Sequence, residues 1–411
     1  MTWSAPFGIR GASSIDIALL DDRKLMTANW LGGDTWLLDT NVLQICSYYV
    51  GSKLYQNLFR ALEELGVQQC IYVYTHEGYA PSGNWAQNVL FAPCYKRYER
   101  LFFHLKHKRV YDDIKARVAF DQYTIAHAHS LFSNGYIAYR INQLIGLPYV
   151  VAVRNTDVNV FFKRMPHLRN LGIDILRNAS SIIFISQPYK QYTLERFIPR
   201  RDRDMLREKS IVLPNGIDDF WLYNKFMERK PPRQGTINII HVGTIDQNKN
   251  VETTISACKI LLNEGYNVNF TVVGKMVSRK YERVFAKYPF VRYIPHCAKT
   301  ELIDYYREAD IFAMPSKHET FGLVYAEAMS QGLPVIYTKG QGFDGQFPEG
   351  EVGFSVAYDD PEEIAMRVKE IIADYGSISK RAVANVHRYD WKGIAQDYSE
   401  LYSRGVVMQN P

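Results

Sequence analysis

Residues 311–334 read IFAMPSKHETFGLVYAEAMSQGLP. An apolar strand is predicted over Ala309–Pro315, and a polar loop follows it. A helix is then predicted over Gly322–Gln331, closed by Gly332 with Pro334 just beyond. A strand, a loop and a helix in this order are typical of the crossover connections of a parallel sheet. The stretch therefore predicts an α/β fold, in which ligands bind at the loops that follow strands.

The same alternation occupies the first half of the chain. Its predicted strands are Trp36–Asp39, Cys70–Tyr74, Tyr123–His127, Tyr149–Val153, Ser181–Ile185 and Ile211–Leu213. Its clearest predicted helices are Lys53–Leu65 and Ser133–Ile145, each followed by a glycine. We expect residues 1–34 to be an irregular extension, and a loop to run from the first strand through Gly51.

A second run of strands and helices follows a change in composition. The turn Pro214-Asn215-Gly216 and the polar segment Arg229–Gly235 separate the two runs. The predicted strands of the second run are Ile237–Val242, Asn269–Val273 and Ala309–Pro315, and its predicted helices are Val251–Asn263, Gly322–Gln331 and Glu362–Ala373. We predict one domain over residues 1–214 and a second over residues 215–389, each built on a parallel sheet.

Composition limits the class of protein. The chain has 411 residues, of which 47% are hydrophobic and 22% charged, which excludes a largely disordered or fibrous protein. A net charge of +6 is too small for a dedicated nucleic-acid binder and fits an anionic substrate or an anionic membrane. The five cysteines form no CxxC pair, and neither a signal peptide nor an apolar run long enough to cross a bilayer is recognisable. We therefore expect a cytoplasmic protein.

Two glutamates flank the start of the helix in the opening stretch. Glu319 precedes the helix and Glu327 lies inside it, at most about 12 Å further along the helix axis. Backbone N–H groups at a helix start bind phosphate, and carboxylates accept hydrogen bonds from sugar hydroxyls. Gly322 would let a ligand approach the backbone. The residues alone fit a diphosphate site between two hydroxyl-rich groups, and equally an amphipathic helix with one solvated glutamate.

These residues resemble a known signature. Glu-x7-Glu in ETFGLVYAEAMSQGLPVI is similar to the signature of the GT4 family, the retaining, nucleotide-sugar-dependent glycosyltransferases of GT-B fold found in bacterial polysaccharide biosynthesis. Three more segments agree: Leu213–Asp218 resembles the interdomain turn, His241–Gly243 with Lys249 resembles the phosphate-binding loop, and Tyr389–Tyr402 resembles the final helix that crosses back onto the first domain.

The resemblance implies a fold and a set of site residues. It implies two Rossmann-like domains whose parallel sheets face a central cleft: an acceptor-binding domain over residues 1–214, completed by a helix over 390–411, and a nucleotide-sugar-binding domain over 215–389. The implied catalytic residues are His129, Lys249 and Glu319. The implied residues around the nucleotide sugar are Gly51, Gly243, Thr244, Lys249, His296, Glu319, Phe321, Gly322, Leu323 and Glu327.

Individual roles also come from the resemblance. Glu319 would hold hydroxyls of the transferred sugar, Glu327 the ribose, and Lys249 the diphosphate. His129 is the second histidine of an HxH segment that the family has at the reaction centre. His296 matches a position whose backbone contacts the base, although Pro295 replaces the usual glycine, so either uracil or guanine is possible.

One position departs from the family. Thr244 stands where the family has an arginine, so another cation must neutralise part of the diphosphate, and Arg154 is one candidate.

No metal ion and no cofactor are expected. Asp202-Arg203-Asp204 has the spacing of a metal-binding DxD motif, but it lies in the charged run Arg200–Lys209, which is typical of a solvated helix face. The family needs no metal for its chemistry, so we reject a metal site here.

The expected function is transfer of a hexose or another glycosyl group from a UDP- or GDP-linked sugar to a glycan or a lipid-linked acceptor. Two alternatives stay open: a sugar-nucleotide epimerase of the same fold, and a non-catalytic subunit that binds a sugar nucleotide.

The segment Lys96–Arg109 mixes six basic residues with aromatic and aliphatic ones. It fits either peripheral contact with the inner face of an anionic membrane or a solvated basic helix.

Overall fold

The computed structural model describes residues 40–79, 81, 85–232 and 235–407. The predicted extension over residues 1–34 and the predicted strand Trp36–Asp39 lie outside these residues. The described residues contain two parallel sheets with helices packed against them, in one compact unit. The α/β class with two Rossmann-like domains is therefore confirmed.

The first sheet has the strand order β3-β2-β1-β4-β5-β6-β7, with every pairing parallel. Its strands are Asn41–Ile45 (β1), Gln68–His76 (β2), Val89–Tyr95 (β3), Ile125–Ala128 (β4), Tyr149–Ala152 (β5), Ser181–Phe184 (β6) and Ser210–Val212 (β7). The α-helices that follow its strands are Lys53–Glu64 (α1), Phe103–Arg117 (α2), Ser133–Ile145 (α3), Arg169–Asn178 (α4), Gln187–Phe197 (α5), Arg200–Glu208 (α6) and Asp219–Tyr223 (α7). A π-helical segment, Asp157–Phe162, follows β5.

The second sheet has the order β10-β9-β8-β11-β12-β13 and is also entirely parallel. Its strands are Thr236–Val242 (β8), Asn267–Val273 (β9), Val291–Ile294 (β10), Ile311–Ala313 (β11), Val335–Thr338 (β12) and Gly353–Val356 (β13). Its helices are Val251–Asn263 (α8), Lys280–Phe285 (α9), Lys299–Glu308 (α10), Leu323–Ser330 (α11), Pro361–Ala373 (α12) and Tyr375–Asn385 (α13).

The last helix, Trp391–Val407 (α14), contacts the first sheet. The Tyr402 hydroxyl lies 2.7 Å from Nδ1 of His127 on β4 and accepts a hydrogen bond from Gln44 on β1. The Trp391 ring covers Gly216, where an added Cβ would lie 2.5 Å from the indole. The helix thus packs on the sheet of the first half of the chain, while the predicted domain limits at residues 214 and 389 stay predictions.

The strand order of each sheet fixes where a ligand can bind. Chain order reverses between β1 and β4 in the first sheet and between β8 and β11 in the second. Ligands of open parallel sheets bind outside the carboxyl ends of the strands at such switch points. The two carboxyl edges meet directly, because the Ser186 hydroxyl after β6 donates to the Thr320 carbonyl after β11 at 3.3 Å. The loops after these four switch-point strands are therefore where the site is expected.

One predicted loop is a strand. Asn41–Ile45, predicted to lie in the loop that ends at Gly51, is the central strand β1. The buried polar side chain of Gln44 interrupts the apolar run that would have identified a strand buried on both faces. Strands β3, β10, β12 and β13 were not predicted either; β3 contains Pro93 and is an edge strand, where proline is tolerated.

Candidate active site

The loop between β11 and α11 ends in a conformation that requires glycine. Gly322 precedes α11 with φ of +79°, and a Cβ there would lie 2.5 Å from the Tyr325 ring. A side chain at this position is therefore disfavoured by both the backbone and the ring. The expectation that Gly322 admits a ligand is untested, since the conformation of the loop already explains the glycine.

Glu319 is the centre of the polar contacts in this loop. Its Oε1 accepts hydrogen bonds from the backbone N–H groups of Thr320 at 3.1 Å and Phe321 at 3.4 Å. Its Oε2 lies 2.5 Å from Nζ of Lys249. Only 12% of the Glu319 side chain and 22% of the Lys249 side chain are exposed, so the pair is only partly screened by water. The structure thus brings together two residues that lie 70 positions apart.

Lys249 is held at this position by the loop between β8 and α8. Its backbone N–H donates to Oδ1 of Asp246 at 2.8 Å. Asn248 joins the two loops, because its side chain accepts from the His318 N–H at 3.0 Å and donates to the His318 carbonyl at 2.9 Å. Asn250 adopts φ of +57°, and its amide donates to the Pro315 carbonyl at 3.0 Å. The asparagines therefore fix Lys249 against the loop of Glu319.

Gly243 and Thr244 begin the same loop. Gly243 approaches the backbone after β9 so closely that a Cβ at Gly274 would lie 1.9 Å from the Gly243 carbonyl oxygen. Thr244 is exposed, and Lys249 supplies the cation of this loop. Arg154 contacts the Tyr55 ring and the His129 carbonyl, both in the first half of the chain. Among the contacts that the structure gives Arg154, none reaches the Lys249 loop.

Glu327 lies on α11 in a half-buried position. Burial raises the pKa of its carboxyl to about 7, and the negative charge of Asp218 adds to this, while Tyr306, Lys299 and Trp221 oppose it. Asp218 itself accepts from Lys299 at 2.6 Å, and that ammonium keeps the pKa of Asp218 low in spite of burial. Glu327 therefore carries a proton more readily than an ordinary glutamate near neutral pH.

The structure does not bring His129 into this cluster. It follows β4 and is fully buried, with its Nε2 donating to Oε1 of Gln44 at 2.8 Å. The rings of Tyr55 and Phe59 on α1 pack edge-on against it, and His127 lies 3.8 Å away between ring centroids. Burial lowers its pKa well below the usual value, so the imidazole is neutral.

The remaining predicted residues lie on loops at the carboxyl edges. Gly51 is exposed in the loop after β1 and has open space around its Cα. His296 is exposed in the loop after β10. Phe321 is buried against the Tyr389 ring, with 5.9 Å between centroids, and Leu323 is the first residue of α11. These positions leave their predicted roles untested.

Sequence reasoning missed the loop after β12. Oε1 of Gln341 accepts from the Glu319 N–H at 2.9 Å, and the Gly342 N–H donates to the Glu319 carbonyl at 2.7 Å. A Cβ at Gly342 would overlap the Thr320 carbonyl oxygen. The glycine-rich sequence Lys339-Gly340-Gln341-Gly342 after a buried strand was the available signal.

The charged run on α6 is not a uniformly solvated face. Asp202 is buried and forms a bidentate ion pair with Arg177, at 2.8 and 3.1 Å. The described residues contain no cluster of three or more His, Cys, Asp or Glu side chains that could hold a metal ion. Within the same residues, no helix is long and apolar enough to cross a membrane.

Chemically, the arrangement is an anion site beside two carboxylates. An ammonium and the positive end of a helix lie together at the switch point of the second sheet, which suits a diphosphate. Glu319 and Glu327 offer hydroxyl acceptors on the loop and the helix around it. These are the groups that the sequence leads one to expect around a nucleotide sugar, and their roles there stay predictions.

Comparison with known proteins identifies the family. A family model described as Glycosyltransferase Family 4 matches residues 52–219, and one described as Glycosyl transferases group 1 matches residues 224–388. Together they cover about four fifths of the chain. The chain therefore belongs to the family 4 glycosyltransferases of GT-B fold.

The curated relatives agree with this family. The chain is similar to glycogen synthase of Mycobacterium tuberculosis, with 27% identity over 237 residues, which is 56% of this chain and 55% of that protein. It is also similar to the capsular polysaccharide biosynthesis glycosyltransferase CapM of Staphylococcus aureus, with 28% identity over 205 residues, 48% of this chain and 53% of that protein. The alignments thus span about half the length of these relatives.

Solved structures share the fold over most of the chain. Sucrose-phosphate synthase from Thermosynechococcus elongatus superposes with a TM-score of 0.68 at 18% identity, over 90% of this chain and all of that one. The HepE protein of Anabaena, solved in complex with UDP-glucose, superposes with a TM-score of 0.58 at 17% identity, over 89% of this chain and 99% of that one. These likenesses confirm the GT-B fold.

Proposed function

We propose that this chain is a retaining, metal-independent glycosyltransferase that moves a sugar from a UDP- or GDP-linked sugar to a glycan or a lipid-linked acceptor. The observation that carries the proposal is the contact between Lys249 and Glu319 at the start of helix α11. A cation, helix-start amides and a carboxylate are the groups that a diphosphate joined to a sugar needs.

The nucleotide sugar would use these groups in order along the cleft. Lys249 and the backbone of Phe321, Gly322 and Leu323 would hold the diphosphate, and Glu319 would accept hydrogen bonds from the sugar. Glu327 would accept from the ribose. The other residues proposed to line this site are Gly51, Gly243, Thr244 and His296. The presence of UDP-glucose in the HepE structure supports a nucleotide sugar of this kind.

The reaction would need no protein base. The bond between the anomeric carbon and the phosphate oxygen breaks as the acceptor oxygen bonds to the same face of that carbon. The acceptor proton passes to the departing phosphate oxygen, and the products are the glycoside and a nucleoside diphosphate. Lys249 and the helix start would stabilise the charge that develops on the diphosphate. His129 would act at the reacting sugar only if helix α1 moved away from its ring.

The acceptor would bind the domain of residues 1–214 with the helix over 390–411. The names of similar proteins, among them a capsular polysaccharide glycosyltransferase, support an acceptor in polysaccharide biosynthesis. A cytoplasmic site of action, on the inner face of the membrane, is part of the same proposal.

Contact with an anionic membrane would use the turn before α2, which comprises Arg97–Leu101 and Phe102. Its apolar side chains are exposed, with Leu101 at 83% and Phe102 at 57%. Fewer of the cations in Lys96–Arg109 are free than the sequence indicated, because Lys108 on α2 pairs with Asp112 and Arg109 with the buried Glu99. The proposed contact therefore relies on apolar insertion as much as on charge.

The test is turnover by the purified chain. It is incubated with UDP- and GDP-linked sugars, and release of the nucleoside diphosphate is followed by chromatography, with and without a crude glycan or lipid acceptor. NMR of the product must show the anomeric configuration of the substrate sugar. A new sugar nucleotide formed without any acceptor would indicate the epimerase instead. Tight nucleotide binding without release of a nucleoside diphosphate in any mixture would indicate a non-catalytic subunit.

A thermal-shift screen with UDP and GDP selects the base before these reactions. A nucleotide at a hundred times its Kd should stabilise the fold by about 2.7 kcal/mol.

A further inference from the structure

Lys106 on helix α2 projects toward the carboxyl edge of the first sheet. Its Nζ lies 5.0 Å from the ring centroid of Tyr95, the last residue of β3, and 5.3 Å from that of Tyr74 near the end of β2. The side chain is half-buried. This edge belongs to the half of the chain proposed above to bind the acceptor.

No carboxylate among the described residues forms an ion pair with Lys106. The nearby acids are engaged elsewhere, since Glu99 pairs with Arg109, and Asp113 accepts from the Tyr72 hydroxyl and pairs with Arg117. Burial lowers the pKa of Lys106 to about 8, and the positive charge of Arg100 adds to this. Tyrosine rings can stabilise an ammonium, but they leave its positive charge without a counter-ion.

A buried hydrogen-bond donor lies at the same edge. The Tyr74 hydroxyl is buried beside Ser47 and makes no hydrogen bond of standard geometry with the described residues. Ser47 in turn donates its backbone N–H to Oδ1 of Asn134, whose amide nitrogen is also buried without a partner. Buried donors without acceptors are costly, and a ligand that brings acceptor oxygens removes that cost.

We propose that Lys106 and the Tyr74 hydroxyl form a subsite for a phosphate group at the carboxyl edge of β2 and β3. The ammonium of Lys106 and the Tyr74 O–H can both donate to the same oxyanion, which fits a phosphate better than a cation. This inference rests on the proposed function, in which the phosphate belongs to the acceptor. It comes either from a soluble phosphorylated glycan or from a lipid headgroup, which shares the same chemistry.

The first experiment measures the pKa of Lys106 by NMR. The protein is reductively methylated with ¹³C, which keeps the lysine charges, in a Lys249→Met background that removes the cation proposed for the nucleotide diphosphate. The Lys106 resonance is identified by its loss in Lys106→Arg. Millimolar inorganic phosphate should raise the pKa of Lys106 by about one unit or more, and chloride at equal ionic strength should leave it in place. Lys108, which pairs with Asp112, should not respond to phosphate.

The second experiment separates the two sources of phosphate. Vesicles of phosphatidylcholine with phosphatidic acid are sedimented with wild type, Lys106→Met and the matched control Lys108→Met. If only Lys106→Met loses vesicle binding, the phosphate belongs to a lipid headgroup. If inorganic phosphate raises the Lys106 pKa while the three proteins bind vesicles equally, the phosphate belongs to a soluble glycan. If inorganic phosphate leaves the Lys106 pKa unmoved and the two variants bind vesicles equally, the subsite is overturned. Neither readout needs sugar transfer, so a failure of the proposed function is seen separately.

Discussion

The Glu319 carboxylate occupies two of the groups that the nucleotide diphosphate is proposed to use, the Lys249 ammonium and the Phe321 N–H. Its Oε2 lies 2.5 Å from Nζ of Lys249, and its Oε1 accepts from the backbone N–H groups of Thr320 and Phe321. An internal anion therefore neutralises the ammonium and caps the loop. A diphosphate that takes Lys249 from Glu319 would free this carboxylate for the hydroxyls of the sugar. Binding of the phosphates and orientation of the sugar are thereby coupled through one ion pair.

Replacement of Glu319 by glutamine should separate these two effects. Free UDP or GDP should bind more tightly, by roughly 1 kcal/mol or about fivefold, because Lys249 no longer has to leave a carboxylate. Turnover should nevertheless fall, since the sugar loses an acceptor at the reacting carbon, where small displacements are costly. Isothermal titration with the nucleoside diphosphate and transfer rates measure the two effects. Lys249→Gln is the matched partner variant and should weaken the nucleotide; weaker nucleotide binding in both variants would contradict the coupling.

Replacement of Glu327 by glutamine should act on the nucleotide itself. A lost hydrogen bond to a charged group costs roughly 1.5–3 kcal/mol, so free nucleotide and nucleotide sugar should both bind about ten- to a hundredfold more weakly. Calorimetry with each ligand tests this. Unchanged affinity for the free nucleotide would show that Glu327 does not contact the ribose.

The same carboxyl predicts a pH dependence. Its pKa is raised to about 7 in the unliganded protein, chiefly by burial and then by Asp218. A ribose hydroxyl that donates to the ionised form lowers this pKa, so a proton leaves on binding. Affinity for the nucleotide should therefore rise with pH up to about 7 and level off above it. Titrations across this range should give a flat profile for Glu327→Gln, and an equal slope in wild type and variant would assign the proton to another group.

Much of this site was predictable because its residues lie in short local motifs. The signature after β11 predicted Glu319, Gly322 and Glu327, and the loop after β8 predicted Lys249; the structure brings Lys249 and Glu319 together, and the roles of all four stay predictions. The contact between Lys249 and Glu319 was not predictable, because it depends on how two loops 70 positions apart pack together. The same holds for Gln341, whose bond to the Glu319 amide gives no local pattern.

The fold class followed from the alternation of strands and helices, but particular strands did not. Gln44 and Pro93 each break the apolar pattern of a strand, and each is accommodated by tertiary structure. Gln44 finds partners in Gln69, His129 and Tyr402, while Pro93 lies on an edge strand. Burial of a polar residue in a network of this kind cannot be inferred from spacing alone.

Transfer should survive removal of divalent metal ions. Asp202, the first carboxylate of the DxD sequence, is held by Arg177, and the proposed charge stabilisation comes from Lys249 and the start of α11. Rates with EDTA should equal those with Mg²⁺. A complete loss that Mg²⁺ restores would contradict metal independence.

The exposed apolar turn should govern membrane contact. Double replacement Leu101→Gln and Phe102→Gln should reduce sedimentation with phosphatidylglycerol vesicles by about tenfold or more, because each side chain gains roughly 1.5–3 kcal/mol when fully buried. Tyr223→Gln is the matched control, since Tyr223 is 84% exposed but lies on α7, outside this turn. Nucleotide affinity should be the same in all three proteins. If wild type does not sediment even at low salt, the peripheral membrane proposal is wrong.

Substitution of Gly342 should damage the site without unfolding the protein. A Cβ there would lie 2.0 Å from the Thr320 carbonyl oxygen, and the Gly342 N–H holds the Glu319 carbonyl. Gly342→Ala must push these loops apart, at a cost of roughly 1–3 kcal/mol in unfolding free energy. The backbone amides and the Glu319 carboxylate would move with them, so nucleotide affinity should fall by about tenfold or more. Gly376→Ala is the control, because Gly376 lies in helix α13 with no atom near its added Cβ, and alanine there should stabilise by about 0.5–1 kcal/mol. Thermal unfolding and calorimetry of both variants decide the matter: normal nucleotide affinity in a folded Gly342→Ala protein would mean that the loop after β12 does not support the site.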